Sequence, residues 1–352
     1  MILEEGLSRI KIPETEVSNG PGTKRPGFYN PDQVLNRDIT IALISALKPR
    51  RYLDGFGGTG IRGIRVSLET EAEASVAEIN TRSVEIIKEN VELNGVSLEV
   101  HSHPFETVVS ESTYGFIDVD PYGSIVPFLD VAITHVRNGG YLGLTATDLS
   151  ALTGSSPGKT NRRYDAYVET DRLKHETGIR LLLAYVARRA AALNREMIPL
   201  ISFWRSHYYR IVVRIRNGAA GADRSLGQIR TIDKSSDLSG IYGSVVEGPI
   251  WTGALSDPKI VDKCTGSKLE SVGEASYTLL QSLPNEDDRL YFFELADFGR
   301  YLKRSLPTMD HIIGALEKET GMPSHRTHFS QTGIKSAISG EEFQSIFDRI
   351  TS

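Results

Sequence analysis

The stretch Arg51-Tyr52-Leu53-Asp54-Gly55-Phe56-Gly57-Gly58-Thr59-Gly60-Ile61-Arg62 decides how this 352-residue chain is read. Its first four residues are a short, mostly apolar run ending in an acid. Residues 55–60 hold four glycines, and an amphipathic segment runs on to about residue 69. This spells strand, Gly-rich turn, helix. Glycine lets backbone approach a ligand, and a helix N-terminus offers free N–H groups beside it. The alternation then repeats. Residues 74–79 predict a second strand, and residues 81–93 a second helix stopped by Asn94-Gly95. Strands are expected at 97–101, 115–120 and 141–147, with a helix near 125–136. A long helix over 173–193 and strands at 198–204 and 210–215 close the series. Such alternation predicts an α/β fold with a doubly wound parallel sheet, whose ligands sit at the carboxyl ends of its strands.

After about residue 216 the pattern changes. Residues 217–248 are rich in Gly, Ser and Asp and read as a connecting region. Helices are expected at 268–282, 295–304 and 308–319. The last two flank Ser305-Leu306-Pro307 and suggest a helix-turn-helix, with residues 326–335 as a β-wing. The expected organisation is therefore a first domain over 1–247 and a small α+β domain over 248–352. One Cys, Cys264, leaves no disulfide framework and no Cys-rich zinc site, so no metal is expected. No apolar run approaches the length of a membrane span, and residues 1–27 lack the apolar core of a signal peptide. A cytoplasmic protein with no membrane partner is expected, and no obligate protein partner is evident.

The formal net charge is -5, which on average argues against a nucleic-acid surface. Charge is unevenly spread, however. Residues 159–216 carry 2 Lys and 11 Arg against 2 Asp and 3 Glu, a local +8 that the remaining -13 hides. That excess suits a phosphate backbone. Arg162, Arg163, Arg188, Arg189 and Arg195 are candidates for phosphate contacts. Lys303, Arg304, Arg326 and Lys335 are further ones.

Three acidic positions carry the chemistry. Glu78 ends the second strand, where a carboxylate can accept both ribose hydroxyls of an adenosine ligand. Gly55-x-Gly57-x-x-Gly60 with Glu78 fits a nicotinamide dinucleotide as well as S-adenosylmethionine. Asp54 favours the latter, because its carboxylate can meet the cationic amino group of a methionine moiety, with Gly58 lending close backbone approach. At the end of the fourth strand stands Asp120-Pro121-Tyr122-Gly123. An exocyclic base amine is a poor nucleophile because its lone pair is delocalised. A carboxylate and a Pro carbonyl can accept its N–H bonds and aim the lone pair, while an aromatic ring stacks on the base. Phe28 suits the second slice of an aromatic sandwich around the base and Arg37 a contact with the methyl donor, but read alone an ordinary loop aromatic and a solvated Arg are the favoured readings.

Together the blocks FYNPxxxLNRD (28–38), TGIRGIR (59–65), FIDVDPYGS (116–124), TATD (145–148), HExGxR (175–180), HYYR (207–210), GPIWTGAL (248–255) and RTHFSQTGIKS (326–336) resemble the tRNA (guanine-26-N2)-dimethyltransferase family, archaeal type. The resemblance covers the chain from about residue 28 onward. It implies a class I S-adenosylmethionine-dependent methyltransferase domain, Rossmann-like, with a C-terminal tRNA-binding domain. It implies transfer of one and then two methyl groups from S-adenosylmethionine to N2 of guanine 26, a base turned out of its stack. Family donor-binding positions fall on Arg37, Arg62 and Glu78. Catalytic positions fall on Asp120, Pro121 and Tyr122, with Phe28 as the opposing aromatic. The chain departs from the family on the adenine side of the donor. His103-Pro104-Phe105 stands where an acidic motif is usual, and Pro104 is the backbone contact expected to substitute. A DNA amino-methyltransferase would share the Gly turn and Asp120-Pro121-Tyr122 but not the RTHFSQTGIKS block. A nicotinamide oxidoreductase would leave Asp120-Pro121-Tyr122-Gly123 unused, and a non-catalytic RNA-binding relative would have no use for an intact acid and aromatic pair.

Overall fold

In the computed structural model the described residues are 1–13, 25–236, 238, 240–242, 246–287 and 289–352. They form two compact units, each drawn from three segments. Unit 1 comprises Met1–Asp148, Val186–Leu226 and Ser256–Gln281. Unit 2 comprises Leu149–Tyr185, Gly227–Leu255 and Ser282–Ser352. The boundary expected at 247/248 falls inside unit 2.

Unit 1 opens with a hairpin of β1 (Ile2–Glu5) and β2 (Ser8–Lys11). Helix α1 (Val34–Leu47) leads into β3 (Arg51–Asp54), and α2 (Ile61–Glu69) follows the Gly-rich turn. Next come β4 (Glu73–Ala77), α3 (Thr81–Asn94), β5 (Glu99–His101), α4 (Phe105–Ser110), β6 (Tyr114–Val119), α5 (Val126–His135) and β7 (Val136–Ala146). A long helix, Lys174–Ala191, begins in unit 2 and enters unit 1 at Val186, ahead of β8 (Arg195–Arg205) and β9 (Tyr208–Asn217). One seven-stranded sheet results, in the order β5-β4-β3-β6-β7-β9-β8. The first five strands in that row are mutually parallel, while β9 runs antiparallel to both β7 and β8. The sheet is thus mixed, not all-parallel as expected. The tight link from β8 to β9 leaves no room for a crossover helix, so these two strands can only pair as a hairpin.

The winding positions the site. From β3 the chain moves outward through β4 to β5, then returns to the other side of β3 for β6 and β7. The strand order therefore reverses between β3 and β6, and a crevice opens above their carboxyl ends. Asp54 and Asp118 are register partners there. Strand β6 is buried along its whole length, as a central parallel strand covered on both faces must be.

Unit 2 holds a two-stranded sheet of β10 (Ile229–Asp233) and β11 (Val246–Trp251). A second sheet joins β12 (Phe293–Glu294), β13 (Ser324–Arg326) and β14 (Gly333–Ser336) in the order β12-β14-β13. Helices Leu295–Leu302 and Met309–Thr320 lie where a helix-turn-helix was expected, and β13 with β14 forms the strand pair expected after it. Its apolar centre stacks Phe293 on Phe343 at 4.0 Å, with Phe298 4.6 Å from Phe343.

Three expectations need correction. Residues 217–248 are not a plain connection: they include helix Ala219–Leu226 and strand β10. The helix expected over 268–282 begins only at Glu274, and Pro258–Gly266 forms a separate helix capped by Asp257. Arg195 and Lys335 are not surface cations. Arg195 is buried and donates to the carbonyls of Ile133 and Val136, the latter at 2.8 Å. Lys335 is fully buried, its Nζ 2.7 Å from Glu176 Oε1 and 3.0 Å from the Arg289 carbonyl. Basic side chains this deep serve internal carboxylates and carbonyls, because an unpaired buried charge is too costly.

Candidate active site

A cavity of about 520 Å³ lies over the β3–β6 crevice of unit 1. One wall is the Gly-rich turn. Gly57 and Gly60 are packing glycines: a Cβ on Gly57 would stand 2.4 Å from Val76 Cγ1, and one on Gly60 2.9 Å from Ile87 Cγ2. Gly58 differs, since a Cβ there would meet only the Phe28 carbonyl oxygen, at 3.7 Å. Its left-handed φ of +57 fits a residue without Cβ. The Gly58 N–H donates to Glu78 Oε2 at 2.9 Å, and the Asn80 N–H donates to Glu78 Oε1 at 2.8 Å. Glu78 is thereby held at the end of β4 beside the turn. Ile79 follows it at the rim, 69% exposed, and offers an apolar face to a flat heterocycle.

Asp54 stands at the base of the cavity, almost sealed from solvent. Burial pushes its carboxyl up to about 7, against the pull of Arg62 and with help from Asp118. A carboxyl so placed gains most from an incoming cation.

The opposite wall is the end of β6. Asp118 is fully buried and grips Arg210 through two bonds of 2.7 Å. Burial works to raise its pKa, but Arg210 and Arg62 prevail and hold it below the usual carboxylate range. Arg62, on the first turn of α2, links both acids: Nη1 is 3.4 Å from Asp118 Oδ2, and Nη2 donates to Asp120 Oδ2. Asn36 and Thr40 of α1 accept from the same Nη1 at 3.1 and 3.2 Å. Only one oxygen of Asp120 is engaged. Among the described residues Oδ1 makes no hydrogen bond and is not sealed from the cavity. Burial holds this carboxyl above its usual range, opposed chiefly by Arg62. The turn after it is pinned by Thr147, whose hydroxyl accepts from the Gly123 N–H at 2.9 Å while its own N–H donates to the Gly123 carbonyl at 2.9 Å.

Pro121 and Tyr122 line the cavity, and Tyr122 faces Phe28 with ring centroids 6.4 Å apart at 61°. The rings meet edge to face, so a base held flat between them requires one ring to turn. Arg37 lines the same cavity, its guanidinium doubly bonded to Glu5. Asn30 Nδ2 sits 3.3 Å from His207 Nε2 at the rim. Phe56 and Phe128 close the far side, with centroids 4.9 Å apart.

The family profile for N2,N2-dimethylguanosine tRNA methyltransferases matches residues 6–348. The chain belongs to that family. It is 46% identical to a tRNA (guanine(26)-N(2))-dimethyltransferase of Thermoplasma acidophilum, covering 98% of this chain and 97% of the relative. A Pyrococcus horikoshii protein of the same name is 35% identical over 99% and 98% of the two chains. The solved complex of Trm1 from Pyrococcus horikoshii with S-adenosyl-L-methionine superposes with a TM-score of 0.86, at 32% identity, over 98% of this chain and 99% of that one.

Within this family fold, the structure gathers Phe28, Arg37, Asp54, Gly58, Arg62, Glu78, Asp120, Pro121 and Tyr122 around one cavity. Pro104 is not among its lining residues. It is exposed and caps α4. The residues the motifs did not single out are Tyr29, Asn36, Thr40, Asp118, Thr147 and Arg210. Most sit inside the quoted blocks, yet their spacing carries no message until β6, α1 and β9 are brought side by side. Glu5 lies outside every block. No helix among the described residues is long and apolar enough to cross a membrane.

Proposed function

We propose that this chain transfers methyl groups from S-adenosylmethionine to the exocyclic N2 of guanine 26 in tRNA, in two rounds. The cavity's two unlike walls carry the reading. The glycine and Glu78 wall fits a donor, since Gly58 leaves open space where any other residue would place a Cβ, and buried Asp54 lacks only a cation. When bound, S-adenosylmethionine supplies an electrophilic methyl on a cationic sulfur. Glu78 is placed for ribose hydroxyls, Asp54 for the amino group, and Arg37 for the carboxylate.

The Asp120 wall handles the amine. Arg62 fixes one oxygen of Asp120 and leaves Oδ1 to accept an N–H of guanine N2, with the Pro121 carbonyl taking the other. Holding both N–H bonds directs the nitrogen lone pair toward the donor side of the cavity. As the C–N bond forms, the methyl–sulfur bond breaks and its electron pair stays on the departing neutral thioether; the amine carries one proton too many, and Asp120 takes it. Its raised pKa suits an acceptor that must be anionic before transfer and willing to hold a proton after it. Tyr122 and Phe28 clamp the extruded base. The helix-turn-helix region of unit 2 and exposed basic residues hold the tRNA, and the reaction takes place in the cytoplasm.

The test uses isotopically labelled S-adenosylmethionine and an unmodified tRNA transcript, followed by nucleoside analysis. N2,N2-dimethylguanosine at position 26 is expected from the native chain. Asp120→Ala should lower transfer by a factor of about 100 or more while donor affinity stays within a few-fold. Asp120→Ala retaining most of its activity would overturn the assignment.

A further inference from the structure

The N-terminal hairpin carries a residue that bears directly on the donor wall. Glu5 ends β1 and is 7% exposed. Its Oε1 accepts from Arg37 Nε at 2.7 Å, and its Oε2 accepts from Arg37 Nη2 at 2.5 Å. Oε2 also accepts from the Tyr29 hydroxyl at 2.8 Å, and Oε1 from Arg65 Nη1 at 2.9 Å. Arg37 and Tyr29 line the cavity, and the guanidinium lies 5.0 Å from the centre of the Tyr29 ring. Arg37 Nη2 has one further acceptor, the Asn30 carbonyl, at 3.2 Å.

The geometry leaves one edge of Arg37 over. Two of its three nitrogens are committed to Glu5 and Asn30. Among the described residues Nη1 makes no hydrogen bond, and it is not sealed from solvent. A guanidinium presents its donors in a fixed planar fork, so whatever grips the Nε and Nη2 edge also sets the aim of Nη1. We propose that Glu5 is a positioning residue for the methyl donor, gripping Arg37 by its inner edge so that Nη1 is presented to the donor's carboxylate.

The hairpin itself is built to hold that carboxylate still. Asn90 of α3 accepts from the Lys11 N–H at 2.7 Å and donates to the Lys11 carbonyl at 3.1 Å. The same amide donates to the Thr59 carbonyl in the Gly-rich turn at 3.0 Å. Asn94 adds a second pair of bonds to Arg9, at 2.8 and 2.7 Å. At the turn, Leu7 N–H donates to Glu69 of α2 at 3.2 Å. Strand β2 is thus fastened to α3 and the hairpin turn to α2, and β1 rides on β2 through four register pairs. A preorganised Arg costs less to immobilise when the ligand arrives, and that saving appears as affinity.

This inference rests on the reading that the cavity takes S-adenosylmethionine, so native-chain donor binding is measured first, by calorimetry. If the native chain does not bind the donor, the site reading fails. If it binds, Glu5→Gln is expected to weaken donor affinity and raise the donor KM by about tenfold, the scale of one charge-assisted contact. At saturating donor, kcat should stay within about twofold. Glu286→Gln serves as the structural comparison, since Glu286 is a buried carboxylate of unit 2 that bonds Thr327 and His328 and does not line the cavity. It should lower Tm without moving donor affinity. In an Arg37→Ala background, Glu5→Gln should cost no further affinity. Should Glu5→Gln fail to fold, Glu5→Asp keeps the charge but draws it back by one methylene, and the same KM rise is expected. Donor affinity unchanged in a folded Glu5 variant, or a fall equal to that of Glu286→Gln, would overturn the proposal.

Discussion

At the scale of single residues, the site pairs two carboxyls whose surroundings differ. Burial, with the neighbouring Asp118 and Asp120, raises the Asp54 pKa to about 7 against the pull of Arg62 and the Phe56 N–H. A cationic amino group binds the ionised form, so donor binding should expel a proton and weaken as pH falls below about 7. Calorimetry at pH 6.5 in buffers of different ionisation enthalpy reads that proton directly. The same shift has a stability consequence. A carboxyl whose folded pKa exceeds its unfolded value binds more protons when folded, so the apo protein loses stability as pH rises from about 4 to about 7. Asp54→Asn removes this loss. The variant should melt above the native chain at pH 8, with the gap shrinking toward pH 4, while donor affinity falls. Equal melting temperatures at pH 8 would count against the buried, raised carboxyl. Asp54 and Asp120 were both legible in the sequence because each ends a strand beside a turn motif. Arg62 was only half legible. It was expected at the donor, yet its carboxylate partners are Asp118 and Asp120, which the sequence places more than fifty positions away.

At the scale of elements, the strand–turn–helix reading of residues 51–69 matches β3 and α2 closely. What the one-dimensional pattern could not separate is the work of its glycines. Gly57→Ala would drive a methyl to 2.4 Å from Val76 and 2.8 Å from Ile87, in the packed layer between β4 and α3. Overpacking of that kind costs about 1–3 kcal/mol. Gly58→Ala meets open space instead, but at a left-handed φ that costs about 1–2 kcal/mol for a residue with Cβ. Both variants should therefore melt lower. Only Gly58→Ala should show a donor affinity loss beyond its stability loss, because Gly58 lines the cavity proposed for the donor and its methyl would enter open space there. Thermal melts beside donor titrations separate the two. The hairpin β1–β2 was illegible for a different reason. Its eight strand residues are largely polar, and the groups that fasten it, Asn90 and Asn94, belong to a helix some eighty residues later. Likewise β10 pairs with a strand beyond a Gly- and Ser-rich stretch, so neither strand announces its partner.

For the molecule as a whole, the question is where the local +8 of residues 159–216 goes. A charge count cannot tell a cation facing water from one spent inside, and here several are spent. Arg180 is buried on Glu176, Arg210 on Asp118, and Arg195 on two carbonyls. Among the remaining candidates, Arg189, Arg304 and Arg326 are exposed but engaged with Asp130, Asp348 and Asp310. The Arg162 and Lys303 side chains are exposed, with no hydrogen bond or ion pair of their own among the described residues. These two are the cations best placed to meet phosphate. Each neutralised phosphate releases condensed counterions, so Arg162→Ala and Lys303→Ala should each weaken tRNA binding and flatten the log–log salt slope by about 1. Neither should move Tm or donor affinity. Arg195→Ala should do the reverse. Its guanidinium satisfies the Ile133 carbonyl at the end of α5 and the Val136 carbonyl at the start of β7, and losing it leaves both buried and unpaired. A loss of about 2–3 kcal/mol is expected, with an unchanged salt slope in whatever protein remains folded. Filter binding across 50–300 mM salt, paired with denaturant melts, puts the three variants on one plot. An Arg195 variant that kept its stability and flattened the salt slope would return that residue to the RNA surface, where its charge alone had placed it.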